Sequence, residues 1–210
     1  MVEATMSFLK KPSKCPNCDT KLDKAPTRKR KCPDCGKYIY VRKGNLYSED
    51  GVTKFDWLEG PALYYDDFSS EDFDRHHKLL SDQFGFNAPV RDVIWRIYNS
   101  LFREAAQTSN LRLMSHVYRD MAKFVLEEGK DTKDLVQDAN KFLLLDAQQT
   151  ANLGFELDVE LFTANDSHIC DWCRNVAQRK WSIEELLEKM PLPGDCTSKI
   201  CRCHISFLMT

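Results

Sequence analysis

Six of the nine cysteines stand in C-x-x-C pairs, at Cys15–Cys18, Cys32–Cys35 and Cys170–Cys173, and the other three, Cys196, Cys201 and Cys203, fall close together near the end of the chain. No other feature restricts the fold as much. Thiols spaced in this way either bridge to one another or close around a metal ion. Complete disulfide pairing of an odd number would leave one thiol over. The opening stretch MVEATMSFLKKPSK has neither the apolar core nor the cleavage site of an export signal. Metal–thiolate chemistry in a reducing, cytoplasmic setting is therefore expected.

Thirteen residues separate CPNC (Cys15–Cys18) from CPDCGK (Cys32–Lys37). Two residues between paired cysteines let the backbone fold back, so that four sulfurs meet in the tetrahedron that zinc favours. Gly36 suits the tight turn that follows, because glycine takes positive φ at little steric cost. KYIYV (Lys37–Val41) reads as the strand leaving such a knuckle. The pattern resembles a zinc ribbon, occupying residues 1–43. This head carries twelve Lys and Arg against four Asp and Glu, a balance of +8, whereas the remainder of the chain is at −10. Arg28, Lys29, Arg30 and Lys31 lie between the cysteine pairs and Lys37 follows the second pair. They are the candidate contacts to nucleic acid or to an acidic partner surface, with Lys10 to Lys43 as the binding region. Tyr38 and Tyr40 are available for base stacking, with one of the two expected to pack inside.

Residues 44–69 mix acids with Phe55, Trp57, Tyr64, Tyr65 and Phe68, and read as an acidic aromatic linker whose rings pack onto the next domain. The sharper alternative is an acidic lid that contacts the basic ribbon or a basic partner. Residues 70–150 turn helical. Acids open the first segment and Gly85 stands where a C-cap belongs, while His76 and His77 read as a surface pair. Apolar positions then recur at helical spacing through 88–107, 109–130 and 131–149, which predicts a central antiparallel helical bundle.

The last portion, 151–210, reads as a small β/α zinc-knuckle domain. Phe155, Leu157, Val159 and Leu161 alternate with acids, predicting a strand that HISFLM (His204–Met209) could pair with. Ser182 and Glu185 form a capping box ahead of a short helix. Cys170 and Cys173 are the firm half of a second site. Cys196, Cys201 and Cys203 compete for its two remaining places, with Cys201 and one of Cys196 or Cys203 the expected pair and His168 and His204 in reserve. The C-x-x-C pair, helix, PLP loop and CRC run, carried by Cys170, Cys173, Pro191, Pro193, Cys201, Arg202 and Cys203, resemble the C-terminal motif of phage head-morphogenesis (minor capsid) proteins. That resemblance implies a part in head assembly, near portal and DNA. The histidine usual in that family just before CRC is replaced here by Cys196 in a longer loop.

The overall expectation is an α+β chain with two structural zinc ions. No H-E-x-x-H, G-x-S-x-G or P-loop is present. The chain therefore reads as a non-enzymatic adaptor that binds nucleic acid or a protein partner through its ribbon. Phage assembly is one alternative. A zinc-knuckle nuclease using Asp166, His168, Asp171 and His204 is another. With 42% apolar and 30% charged residues the chain is globular in composition, and no apolar run is long enough to span a membrane.

Overall fold

The computed structural model describes residues 14–65, 68–163, 169–177, 179–190, 192–194 and 203–209. Helices and small antiparallel sheets are mixed, with seven α-helices among the described residues. The chain divides into two compact units, 1–96 and 97–210, and the boundary falls within one long helix.

In the first unit, β1 (Arg30–Lys31), β2 (Tyr38–Arg42) and β3 (Asn45–Tyr47) form an antiparallel sheet in that order. Arg30 pairs with Ile39, Lys31 with Tyr38, and Tyr40 with Tyr47. Side chains alternate along a strand, so Ile39 points inward and joins Cys15, Leu22 and Cys32 in a very small core. Tyr38 and Tyr40 share the opposite face. Tyr38 is 43% exposed and Tyr40 half-buried, so neither packs inside as expected.

The segment expected as a linker, 44–69, instead supplies β3, helix α1 (Glu49–Leu58) and a short 3₁₀ turn (Pro61–Tyr64). Ser48 caps α1 by accepting from the Gly51 N–H at 3.1 Å. The helix buries Val52 and Trp57, and the Trp57 ring meets Phe68 edge-on at 5.1 Å and Phe73 at 6.0 Å. Its acids answer the end of the ribbon: Asp56 takes a two-pronged bond from Arg42 at 2.8 Å on each arm, and Glu59 pairs with Lys43.

Helix α2 (Ser70–Phe84) starts at a complete capping box between Ser69 and Asp72 and ends at Gly85, whose φ is 73°. It is followed by α3 (Val90–Gln107). His77 Nε2 lies 2.9 Å from the Ala88 carbonyl, and the His76 ring stacks on Phe68 at 6.3 Å. Both histidines are half-buried parts of the packing, not the surface pair expected.

In the second unit, the C-terminal half of α3 packs with α4 (Leu111–Leu126) and α5 (Lys133–Asn152). Phe102, Tyr118 and Phe142 bring one ring from each helix to within 5.0–5.8 Å. Tyr98, a turn before Phe102, meets Phe124, later in α4 than Tyr118, so α3 and α4 run in opposite directions. Strand β4 (Leu157–Phe162) pairs along its whole length with β5 (His204–Met209), antiparallel, as its alternation predicted. Between them in sequence lie α6 (Asp171–Ala177) and α7 (Ile183–Lys189), the latter opened by the expected Ser182–Glu185 capping box. Leu144, Leu161, Leu186, Leu192 and Ile205 anchor the core these elements share. Asn140, almost fully buried, ties α5 to this region by donating to the Leu192 carbonyl at 2.8 Å while its Oδ1 accepts from Arg119. No described helix is long and apolar enough to cross a membrane.

Candidate metal centre and basic face

The first two C-x-x-C pairs fold into near-identical knuckles. Cys15 N–H donates to the Thr20 carbonyl and Asp19 N–H to the Cys15 carbonyl. Seventeen residues on, Cys32 N–H donates to Lys37 and Gly36 N–H to Cys32 in the same way. Asp19 and Gly36, each just past the second cysteine of its pair, hold φ of 58° and 69°. The result turns four sulfurs toward one point, all within 4.8 Å of one another. Cys15 and Cys35 Sγ are 3.9 Å apart and Cys18 and Cys32 Sγ 3.8 Å. A tetrahedron with metal–sulfur bonds of about 2.3 Å has edges of about 3.8 Å, which these two distances match, so the four residues are positioned to hold a metal ion. The spacing is too wide for a bond between sulfurs, which needs about 2.0 Å.

Hydrogen bonds already favour charge on part of this cluster. The Thr20 hydroxyl, 3.5 Å from Cys18 Sγ, and the Thr20 backbone hold the Cys18 thiol down to about 6. Cys35 has a matching bond from the Lys37 backbone, yet desolvation and the three neighbouring sulfurs push it up to about 11. Asn17 adds a feature the spacing did not reveal. Its backbone N–H donates to Cys15 Sγ at 3.4 Å and its side chain donates to the Tyr38 carbonyl at 3.0 Å, pinning the first knuckle to β2.

All five candidate basic contacts, Arg28, Lys29, Arg30, Lys31 and Lys37, are exposed. The sheet register separates them. Lys31 stands opposite Tyr38 on the aromatic face, whereas Arg30 stands opposite Ile39. Lys29 Nζ lies 4.4 Å from the centre of the Tyr38 ring and 4.6 Å from that of Tyr40, and Lys31 Nζ lies 5.3 Å from Tyr38. The head therefore presents lysines and tyrosine rings interleaved on one surface.

The C-terminal cysteines are placed differently. Cys170 immediately precedes α6, its carbonyl accepting from Arg174 and its sulfur from the Cys173 N–H at 3.4 Å. The pair thus opens a helix instead of forming a ribbon knuckle. Cys173 and Cys203 are buried in the same hydrophobic cluster, and Cys170 packs against it. Cys196, Cys201, Asp166 and His168 lie outside the described residues. His204 is exposed on the outer face of β5, stacked on Phe162 at 5.5 Å, so it turns away from Cys203 and Ile205, which face the core. Asp171 projects into solvent, its side chain 93% exposed beside Arg174.

Compared with family models, curated proteins and solved structures, the chain matches none of them, and the likeness of its C-terminal cysteine pattern to phage head-morphogenesis proteins gains no support there.

Proposed function

We propose that the protein is a non-enzymatic, zinc-stabilised adaptor whose ribbon binds the phosphate backbone of nucleic acid. The observation that carries this reading is the placement of Lys29 and Lys31 over Tyr38 and Tyr40 on one exposed face. Lysines release counterions from phosphates and give affinity that falls with salt. An acidic protein surface would satisfy the same cations but would leave the tyrosine faces without a role.

Zinc suits Cys15, Cys18, Cys32 and Cys35 because four thiolates close its coordination sphere and leave no open position for chemistry. A second zinc belongs to Cys170, Cys173 and Cys203, with Cys196 or Cys201 as the fourth ligand. What supports it is that the first three border one hydrophobic cluster; among the described residues only Cys15, Cys18, Cys32 and Cys35 already stand close enough together to hold an ion, so this second site has to be completed by the chain around Cys196 and Cys201.

Replacing Arg28, Lys29, Arg30 and Lys31 together by Ser tests the assignment in a titration of DNA across salt concentrations. The variant is expected to bind more weakly and to show a shallower salt slope, by about 0.9 for each phosphate no longer neutralised, at unchanged melting temperature. Unchanged affinity and slope would refute the assignment of the head.

A further inference from the structure

We infer that the ribbon selects single-stranded nucleic acid over duplex, with Tyr38 and Tyr40 as the stacking platform. This rests on the nucleic-acid reading above and narrows it to one form of the polymer.

Strand geometry carries the argument. Tyr38 and Tyr40 are two residues apart on β2 and share its outer face, while Ile39 between them is fully buried and fixes the strand. Their ring centroids are 6.4 Å apart and tilted by 56°, so each ring offers its own face to an incoming base. Across the sheet, Tyr47 stands opposite Tyr40 and packs on Phe55 at 5.1 Å, which extends the aromatic surface to α1. Lys43 lies 5.5 Å from Phe55 at that end.

In the unbound protein the lysines rest against these rings. An exposed cation–π contact is weaker than a base stacked on an aromatic side chain. An unpaired base therefore displaces Lys29 from the ring, and the freed ammonium has a phosphate of the same strand within reach. A duplex cannot make this exchange. Its bases are already stacked on one another and show only their edges in the grooves, so a base reaches a ring only after unstacking. Duplex DNA would meet the lysines alone.

The test uses the full-length, metal-loaded protein with a short mixed-sequence oligonucleotide, single-stranded or annealed to its complement, followed by fluorescence anisotropy at one salt concentration. Wild type is expected to prefer the single strand by at least about tenfold. The double variant Tyr38→Leu and Tyr40→Leu should lose that preference while keeping its weak duplex affinity, and Tyr38→Phe with Tyr40→Phe should restore the preference with no hydroxyl present. Lys29→Ser with Lys31→Ser should weaken binding to both forms. Equal affinity of wild type for the two forms, or a preference that survives the leucine variant, overturns the inference but leaves the nucleic-acid reading standing. Failure of wild type to bind either form overturns both.

Discussion

Asp19 and Gly36 occupy equivalent corners of the two knuckles, yet only the glycine announces itself in the sequence. Both residues take a left-handed backbone, which costs an ordinary side chain roughly 1–2 kcal/mol and costs glycine almost nothing. A Cβ added at Gly36 would meet no atom within 4 Å, so any penalty there is one of backbone alone. Gly36→Ala is therefore expected to weaken metal binding on the order of tenfold in competition with a chelating dye, and Asp19→Gly to leave it unchanged or slightly improve it. Equal affinities for Gly36→Ala and wild type would show that the knuckle does not need this conformation. Asp19 escaped a reading of the sequence because aspartate also serves as a surface charge. Asn17 escaped it because its bond to Tyr38 spans 21 residues. The orientation of Tyr40 was a matter of strand register, which neighbouring residues do not fix.

The elements were legible where a local rule decides them and opaque where packing does. The Ser182–Glu185 box could be read directly, whereas Ser69–Asp72 showed only as acids in a first turn because aspartate replaces the usual Glu or Gln. Helix α1 hid behind Gly51 and a mixture of acids and rings; Gly51 is tolerated because it lies at the capped start, where an added Cβ would come 3.2 Å from Ser48 Oγ. The third C-x-x-C pair looks like the first two in sequence, but a helix begins at Asp171 and takes Cys173 into its first turn. Ser69→Ala should cost about 1 kcal/mol by removing the α2 cap, visible as faster amide exchange at the start of that helix. The Asp72 carboxyl is held below its usual range by its hydrogen bonds to the Ser69 backbone and hydroxyl, and by Arg75. A depressed acid contributes stability above its unfolded pKa, about 3.9, and loses it as pH falls through the folded value. The extra protection of wild type over Asp72→Asn should accordingly be constant from pH 7 to about 5 and shrink below about 4. A difference that grew on acidification would show that the carboxylate is not the stabilising form.

For the whole molecule, the cysteine head and the C-terminal cluster rest on unequal cores, and this decides how each should answer to metal removal. The ribbon's buried cluster is Cys15, Leu22, Cys32 and Ile39, half of it sulfur ligands. Two buried aliphatic side chains, at about 1.5–3 kcal/mol each and helped by the half-buried Leu46, are few for three strands and two knuckles, so on the zinc reading proposed above metal-binding energy serves as folding energy in the head. The C-terminal cluster holds Leu144, Leu161, Leu186, Leu192 and Ile205 beside its cysteines, enough apolar surface to keep α5, α7 and the β4–β5 pair together, so the second zinc proposed above would only reinforce them. Chelation should thus abolish amide protection throughout 14–47 while α4 and α5 stay protected, and native mass spectrometry should count two zinc ions before treatment and none after. Cys32→Ser should bring the count to one and unfold the head; Cys173→Ser should also bring it to one, with a lower melting temperature but a protected ribbon. A head that kept its protection without metal would mean that the four sulfurs are not what holds it. A Cys173→Ser protein that still carried two zinc ions would remove the C-terminal cysteines from any metal site and leave them as core residues.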